Sequence, residues 1–266
     1  MKFLIIGMGS IGRRHLSNLS SLYPKSTIFV YDINSTQAKN IIKKTSFQLL
    51  NSKDLWNISY DCVFVCTPPS THVDWAIRSL TEGNHVFIEK PISSNSKGLS
   101  KLQKLSKTKK KFVFVGYNFR FNESVKLIKN IVTKKKFGNV IHISSYYGNY
   151  LPDWRPWQNY RESYTAKKKL GGGIILDASH ELDYLIWIFG NPLTINSEYQ
   201  KVKFLDTDTE AVADIQLKFP NNVLANIHVN YVRRTKKRVM EIMCEQGIIQ
   251  WLPMESKLLT FSAKTN

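Results

Sequence analysis

The sequence predicts an α/β protein, with a doubly wound parallel sheet first and an α+β domain with a mostly antiparallel, open sheet second. Two observations carry this prediction. Up to about residue 117, short β-branched apolar runs alternate with longer amphipathic stretches, as in βαβ units. Beyond that point, longer runs alternate apolar and polar residues with a period of two. We therefore expect one domain at residues 1–117 and a second at 118–266.

The elements of the first domain follow from apolar runs for strands and from 3.6-residue periodicity for helices, several of which begin at a Ser or Thr N-cap. The predicted strands are Phe3–Ile6, Thr27–Tyr31, Cys62–Cys66, His85–Ile88 and Phe112–Val115. The predicted helices are Ile11–Leu22, Ser35–Lys44, Thr71–Thr81 and Ser96–Lys107.

The second domain is predicted to begin with one helix and to continue mainly as strands, because turn signals such as Pro220-Asn221-Asn222 separate its alternating runs. The predicted helices are Glu123–Lys135 and Gly173–Phe189. The predicted strands are Val140–Tyr147, Ala211–Phe219, Val223–Tyr231, Arg238–Cys244 and Ile248–Leu252.

Composition narrows the class of protein. Hydrophobic residues make up 42% of the 266 residues, which excludes collagen-like and wholly disordered chains. Three scattered cysteines supply neither a disulfide framework nor a zinc cage, so we expect no metal and a cytoplasmic location. No secretion signal is visible, and no run of about 18 apolar residues predicts insertion into a membrane. The net charge of +18 is compatible with a protein that binds nucleic acid, a protein that associates with anionic membranes, or an enzyme that acts on anionic substrates.

A glycine pattern follows the first predicted strand and opens the first predicted helix. In Gly7-Met8-Gly9-Ser10-Ile11-Gly12, the first glycine permits a tight turn, the second admits a pyrophosphate and the third allows close helix packing. Asp32 ends the second strand, where a carboxylate accepts hydrogen bonds from an adenine ribose and repels a 2′-phosphate. The pattern indicates a Rossmann domain that binds NAD, with NADP less favoured. A turn that uses glycine only for packing, or a flavin or S-adenosylmethionine site, remains an alternative.

Three further motifs stand in order at the ends of predicted strands: Cys66-Thr67-Pro68-Pro69-Ser70-Thr71-His72, Glu89-Lys90-Pro91 and Gly116-Tyr117-Asn118-Phe119-Arg120-Phe121. With the glycine pattern, this set resembles the Gfo/Idh/MocA family of NAD(P)-dependent oxidoreductases over residues 1 to about 252. The resemblance implies a C-terminal sheet that mediates homo-oligomers. Since many relatives continue further, it also implies a second domain that is short of the usual C-terminal end.

The resemblance also implies roles for individual residues. Glu89 matches a contact to the nicotinamide ribose, and Lys90 matches the lysine at the reaction centre. Tyr117 and Asn118 match positions that line the nicotinamide pocket. The expected cofactor-binding residues are Gly7, Gly9, Ser10, Ile11, Gly12, Asp32, Cys66, Thr67, Pro68, His72, Glu89, Lys90 and Asn118.

A glycine run precedes the second informative segment, Asp177-Ala178-Ser179-His180-Glu181. Gly171-Gly172-Gly173 predicts an exposed helix N-terminus that would accept a polar substrate group, and the spacing predicts that Asp177 shares a helix face with His180. In the family, the corresponding histidine commonly serves with the lysine as the acid/base pair. Here it follows the aspartate by three residues rather than four. We expect His180 as acid/base, with Asp177 contacting substrate or orienting the pair.

An aromatic and arginine-rich loop lies between the first long strand of the second domain and the glycine run. Trp154 offers a face for a sugar ring, and Arg155 and Arg161 offer forks for carboxylates or phosphates. The alternative is that Trp154 and Trp157 only pack the loop onto the sheet. By resemblance to family members in bacterial surface-sugar pathways, we expect a sugar or nucleotide-sugar substrate. The expected substrate-binding residues are Lys90, Tyr117, Trp154, Arg155, Arg161, Asp177 and His180.

The sequence thus predicts a dehydrogenase that moves a hydride between the nicotinamide and a secondary alcohol or ketone of a sugar. Lys90, His180 and Asp177 are the expected catalytic residues. The alternative is a non-catalytic dinucleotide-binding sensor or assembly subunit with the same fold. Nucleic-acid binding is not expected, because the basic runs, Arg233–Arg238 among them, stand dispersed and no nucleic-acid motif accompanies them.

Overall fold

A computed structural model describes residues 1–36, 39 and 47–263. The chain divides into two compact units, Met1–Gly116 and Tyr117–Asn266. Each unit has its own hydrophobic core: two buried clusters flank the sheet of the first unit, and one large cluster lies under the sheet of the second.

The described residues of the first unit form a six-stranded parallel sheet in the order β3-β2-β1-β4-β5-β6. Its strands are β1 (Lys2–Ile6), β2 (Thr27–Tyr31), β3 (Gln48–Leu49), β4 (Cys62–Val65), β5 (His85–Ile88) and β6 (Val113–Val115). The predicted parallel sheet is confirmed, and β3 is an addition to the prediction. Strand order reverses between β1 and β4, which is where doubly wound sheets bind ligands.

Helices cover both faces of this sheet: α1 (Ser10–Leu22), α2 (His72–Thr81) and α3 (Leu99–Lys109). Leu16 and Leu19 of α1 pack on one face, and Ala76 and Leu80 of α2 pack on the other. This two-sided packing explains why the strands read as unbroken apolar runs. Most of the predicted helix Ser35–Lys44 lies outside the described residues.

The described residues of the second unit form a seven-stranded sheet in the order β13-β12-β11-β7-β10-β9-β8. Only the β7 and β10 pair is parallel within this described sheet, which confirms the prediction of a mostly antiparallel sheet. Its strands are β7 (Val140–Gly148), β8 (Thr194–Gln200), β9 (Val212–Lys218), β10 (Leu224–Asn230), β11 (Lys237–Cys244), β12 (Gly247–Leu252) and β13 (Lys257–Ser262).

Period-two alternation places one face of this sheet against helices. In β9, Ala213, Ile215 and Leu217 are buried, whereas Asp214 and Gln216 are exposed. The unit's described α-helices are α4 (Glu123–Thr133), α5 (Leu151–Trp154), α6 (Ile174–Asp177) and α7 (His180–Phe189). Residues of α4 and α7 join the buried cluster, so the opposite sheet face carries the polar and partly apolar exposed side chains.

The predicted single helix Gly173–Phe189 is wrong, because the structure divides it into α6 and α7. At the division the backbone tightens from α-helical to 3₁₀-type bonding: the Ser179 amide donates to Leu176 and the Glu181 amide donates to Ala178. Asp177 therefore ends one helix and His180 begins the next. The prediction that helical spacing puts them on one face does not apply.

No helix within the described ranges is both long and apolar enough to cross a membrane.

Candidate active site

The glycine loop of the first unit joins β1 to α1. Gly7 has φ +97, and a Cβ there would stand 2.7 Å from the Cys66 carbonyl oxygen. A Cβ on Gly12 would stand 1.9 Å from the Gly7 carbonyl oxygen, so α1 packs this close to the loop only with glycine. A Cβ on Gly9, by contrast, would meet open space.

The N-terminus of α1 is open to solvent beside this space. Gly9 is its N-cap residue, no described side chain caps the helix, and Gly9 and Ser10 are exposed. The first amides of the 13-residue helix are therefore available to a phosphate, together with the positive end of the helix dipole. These features fit the diphosphate of a dinucleotide.

Asp32 follows β2 next to the same loop. One carboxylate oxygen accepts the Met8 amide at 2.5 Å, and the other accepts the Asn34 amide at 2.7 Å. The backbone thus fixes the carboxylate, which stays half-buried rather than enclosed. A carboxylate fixed at this strand end matches the ribose-binding position of a Rossmann domain.

The loop after β4 is tied to the loop after β5 by a buried histidine. His72 places Nε2 2.7 Å from the Thr67 carbonyl oxygen and Nδ1 2.8 Å from the Pro91 carbonyl oxygen. Burial lowers the pKa of His72, while the two carbonyl contacts oppose that shift. Cys66 is buried, which raises the pKa of its thiol. His72 therefore fixes the backbone of Thr67 and the segment after Lys90.

Glu89 has a partner that the sequence reasoning missed. His15 of α1 places Nε2 2.6 Å from a carboxylate oxygen of Glu89, and its ring packs against both Phe64 and Phe87. His15 lies one helical turn after Gly12, on the face that packs on the sheet. This position on the helix was the sequence feature that could have indicated a contact with the sheet. Lys90 follows at the carboxyl end of β5, half-buried, with a cis peptide bond to Pro91.

In the second unit, two aromatic rings pack against the imidazole ring of His180. The ring centroids of Tyr117 and Phe119 lie 5.6 and 4.8 Å from that of His180. Burial raises the pKa of the Tyr117 hydroxyl. Asn118 begins a 3₁₀ turn, Asn118–Phe121, and is exposed. The structure thus brings Tyr117 and His180 together, as two of the predicted site residues.

Asp177 is held by two tyrosines. Tyr164 donates its hydroxyl to one carboxylate oxygen at 2.7 Å, and Tyr231 donates to the other at 2.6 Å. Asp177 is buried, with 5% of its surface exposed to solvent. Burial raises the pKa of both tyrosine hydroxyls, and the charge of Asp177 raises them further, so both stay protonated and act as donors. This arrangement fits a positioning group better than a mobile proton carrier.

The predicted exposed helix N-terminus at Gly171–Gly173 is wrong. These glycines are buried, and the Glu210 carboxylate accepts the Ile175 amide at 3.1 Å. The Ile174 amide bonds the Glu210 carbonyl oxygen as well. A residue before β9 therefore covers the end of α6, and burial raises the pKa of the Glu210 carboxyl.

The aromatic loop splits into packed and exposed parts. Trp154 packs edge-on against Tyr147 and Tyr231, which agrees with the packing alternative, whereas Trp157 is 70% exposed. Arg155 donates to Ser163 and Thr165 at 3.3 and 3.4 Å.

Arg161 pairs with Asp206 at 3.0 Å on the surface. Both predicted substrate arginines thus have protein partners already. No group of three or more potential metal ligands occurs among the residues that the structure describes.

The first unit combines a parallel sheet, an open, glycine-lined helix N-terminus where the strand order reverses, and a fixed acidic residue after β2. These features define a dinucleotide-binding protein of the Rossmann class. Residues 1–117 match the family model described as an oxidoreductase family with an NAD-binding Rossmann fold. Residues 125–250 match the GFO/IDH/MocA C-terminal domain. The chain therefore belongs to the GFO/IDH/MocA oxidoreductase family, and its first unit is the family's NAD-binding domain.

Curated relatives are distant and longer. Glucose-6-phosphate 3-dehydrogenase of Bacillus subtilis is 24% identical over 186 residues, covering 70% of this chain and 53% of that protein. Myo-inositol 2-dehydrogenase of Thermotoga maritima is 27% identical over 197 residues, covering 71% of this chain and 55% of that protein. This chain thus matches little more than half the length of these two relatives.

Solved structures share the fold. The WlbA dehydrogenase of Bordetella pertussis, in complex with NADH and UDP-GlcNAcA, superimposes with a TM-score of 0.84 at 19% identity. The match covers 94% of this chain and 77% of that one. The architecture of both units is therefore that of known family members.

Proposed function

We propose that the protein is an NAD-dependent dehydrogenase that moves a hydride between the nicotinamide and a secondary alcohol or ketone of a sugar or nucleotide sugar. The observation that carries the proposal is Glu89-Lys90 at the carboxyl end of β5, with Glu89 held by His15 beside the glycine loop. Relatives named glucose-6-phosphate 3-dehydrogenase and myo-inositol 2-dehydrogenase, and the UDP-GlcNAcA bound to WlbA, support the substrate class. A role in bacterial surface-glycan synthesis is part of the proposal.

In this proposal the first unit holds NAD. The amides of Ser10 and Ile11 face the diphosphate, Gly9 leaves room for it, and Asp32 accepts the adenine ribose hydroxyls. The remaining proposed cofactor contacts are Gly7, Gly12, Cys66, Thr67, Pro68, His72, Glu89, Lys90 and Asn118. When bound, NAD supplies the carbon that accepts or gives the hydride.

The chain's own residues manage the proton. Lys90 hydrogen-bonds the reacting oxygen and stabilises the negative charge that develops on it. His180 exchanges the proton, since imidazole titrates near neutral pH. Asp177, fixed by its two tyrosines, orients this part of the site. Tyr117, Trp154, Arg155 and Arg161 complete the proposed substrate-binding set.

We further propose a homo-oligomer formed through the open face of the second unit's sheet. Residues on the outward side of β11, β12 and β13 are apolar and 36–53% exposed: Met243, Ile248, Leu259 and Phe261. A patch of this kind is typical of protein interfaces.

The test is NADH absorbance during incubation with sugars and nucleotide sugars. Lys90→Met and His180→Asn should each lower kcat by about 10²-fold or more, and His180→Asn should leave the affinity for NAD nearly unchanged. Lys97→Met, an exposed lysine nearby in sequence, is the matched control and should turn over normally. Turnover that survives both substitutions refutes the mechanism. Tight NAD binding without any turnover by the wild type favours the non-catalytic sensor.

A further inference from the structure

An arginine lies on the buried face of the second unit's sheet. Along β11 the side chains alternate between the two faces, and Met240 and Ile242, which share a face with position 238, are buried. Arg238 therefore occupies a position where the alternation predicts an apolar residue, and only 14% of its side chain is exposed. A charge at such a position destabilises the fold unless it is paired, and departures of this kind are expected where a residue serves function.

The partner of Arg238 is Glu181, the residue that follows His180 in the chain. Arg238 Nε donates to Glu181 Oε1 at 3.0 Å, and its Nη2 lies 2.9 Å from the same oxygen. Glu181 is fully buried, and its other carboxylate oxygen accepts the Tyr184 hydroxyl. Since both carboxylate oxygens are held, the guanidinium is fixed relative to the first turn of α7, where His180 lies.

Two aromatic rings lie against the guanidinium of Arg238. Its Cζ is 4.7 Å from the ring centroid of Phe119 and 4.2 Å from that of Tyr147. Tyr147 stands directly opposite Arg238 in the pairing of β7 with β11, so the sheet fixes its position. Phe119 belongs instead to the 3₁₀ turn Asn118–Phe121, outside the sheet. The position of the Phe119 ring therefore depends on side-chain packing, including its packing on Arg238.

Phe119 in turn contacts the imidazole of His180. The two ring centroids are 4.8 Å apart, with an angle of 50° between the planes. Trp251 packs edge-on against Phe119, with centroids 5.4 Å apart. The contacts thus run from Glu181 to Arg238, from Arg238 to Phe119 and from Phe119 back to His180. Because Glu181 and His180 are neighbours in the chain, these contacts form a closed loop around the imidazole.

Arginine is the residue type that suits both contacts. A planar guanidinium can lie on a ring face while its N–H edge binds a carboxylate, whereas the ammonium of lysine is a point charge on a flexible stem. An apolar residue would pack on Phe119 but would leave the charge of Glu181 buried without a partner.

We propose that Arg238 is a positioning residue of the proposed active site, which holds the Phe119 ring against His180 and so fixes the orientation of the imidazole. This inference rests on the proposed function, because that function assigns His180 the exchange of the proton. Proton transfer requires an imidazole nitrogen within hydrogen-bond reach of the reacting oxygen. A rotated ring therefore slows the chemical step without weakening the binding of NAD.

The first experiment compares Arg238→Lys with Arg234→Lys in the full chain. Arg238→Lys keeps a positive charge beside Glu181 but loses the planar face on Phe119. Arg234 is an exposed arginine 3.7 Å from the ring centroid of Tyr150, and it receives the same substitution as the matched control.

The readout is the His180 signal in proton–carbon NMR spectra of protein with isotope-labelled histidine. The signal is assigned by its absence from His180→Asn. Ring currents of Phe119 displace this signal, so it should move in Arg238→Lys and stay in place in Arg234→Lys. Phe119→Leu leaves the pair of Arg238 with Glu181 intact and should also move the signal, which keeps the test available if lysine at position 238 prevents folding.

A double-mutant cycle separates positioning from a general effect on the fold. Arg238→Lys and Phe119→Leu should each lower kcat by about tenfold on a sugar that the wild type turns over, with an unchanged KM for NAD. If Arg238 acts through Phe119, the double variant should also lose only about tenfold. Urea unfolding checks that each variant is folded.

The proposal is overturned if the two losses of kcat multiply in the double variant, or if the His180 signal stays in place in folded Arg238→Lys or in Phe119→Leu. An equal movement of the signal in Arg234→Lys would overturn it as well.

The two proposals fail in different ways. A His180 signal that moves in Arg238→Lys, in a protein whose wild type turns over no sugar, supports the placement of His180 by Arg238 and rejects the dehydrogenase. Turnover by the wild type, with kcat unchanged in Arg238→Lys, rejects the positioning role and keeps the dehydrogenase.

Discussion

Substitution of Arg238 by methionine should strongly destabilise the second unit. Glu181 is fully buried, and Arg238 supplies its counter-charge while lying over the rings of Phe119 and Tyr147 at 4.7 and 4.2 Å. Methionine keeps much of the stem packing but removes the charge. Removing one partner of a buried ion pair costs about 3–5 kcal/mol.

The size of this loss should depend on pH. Burial raises the pKa of the Glu181 carboxyl, and Arg238 is the main group that lowers it again. The folded protein therefore binds this proton more tightly than the unfolded chain does, and the penalty for the charge is relieved as pH falls. Without Arg238 the pKa rises further. The deficit of the variant should be largest near about pH 8 and smaller near about pH 5.

Urea unfolding, followed by tryptophan fluorescence, measures both effects, since Trp251 packs against Phe119 and Tyr184 in this unit. Arg234→Ala removes an exposed arginine and should cost under about 1 kcal/mol. In Arg238→Met/Glu181→Gln the buried charge is gone, and stability should recover in part. A deficit that is equal at both pH values, or a double variant no better than Arg238→Met, would refute the buried-charge reasoning.

Three further outcomes are expected. Asp32→Asn should weaken NAD binding by about tenfold and reduce the ratio of the affinity for NAD to the affinity for NADP. Fluorescence titration of both nucleotides measures these affinities. His15→Phe keeps the ring packing but loses the bond to Glu89, and should raise the KM for NAD while unfolding stays normal; an unchanged KM contradicts the positioning role. Tyr231→Phe leaves one oxygen of buried Asp177 without its donor and should cost about 1–3 kcal/mol in urea unfolding, whereas no loss would show that the bond contributes little.

The sequence indicated most strands of both sheets because the burial of a strand determines its local residue pattern. Burial on both faces gives an unbroken apolar run, and burial on one face gives alternating apolar and polar residues. It did not indicate β8 or β13, because no residue of either strand is buried and burial therefore imposed no pattern on them. The short strand β3 was missed for a different reason, because two residues are too few to show a periodic pattern of apolar residues.

Long-range contacts explain the errors at the candidate site. Glu210 covers the amides of α6 from 35 residues away in the chain, which no local pattern at Gly171–Gly173 displays. The pairing of His15 with Glu89 spans 74 residues and depends on how α1 packs on the sheet. The motifs located the loops correctly, but the partners of each side chain depended on tertiary structure.

The two tyrosines on Asp177 have a consequence for how the aromatic loop can diverge. Tyr164 anchors the base of the loop to the same carboxylate that Tyr231 anchors at the end of β10. The tip, residues 156–159, is exposed and includes Trp157. Tip residues can therefore be exchanged without disturbing the anchor, because a single aspartate fixes the base of the loop independently of the composition of its tip.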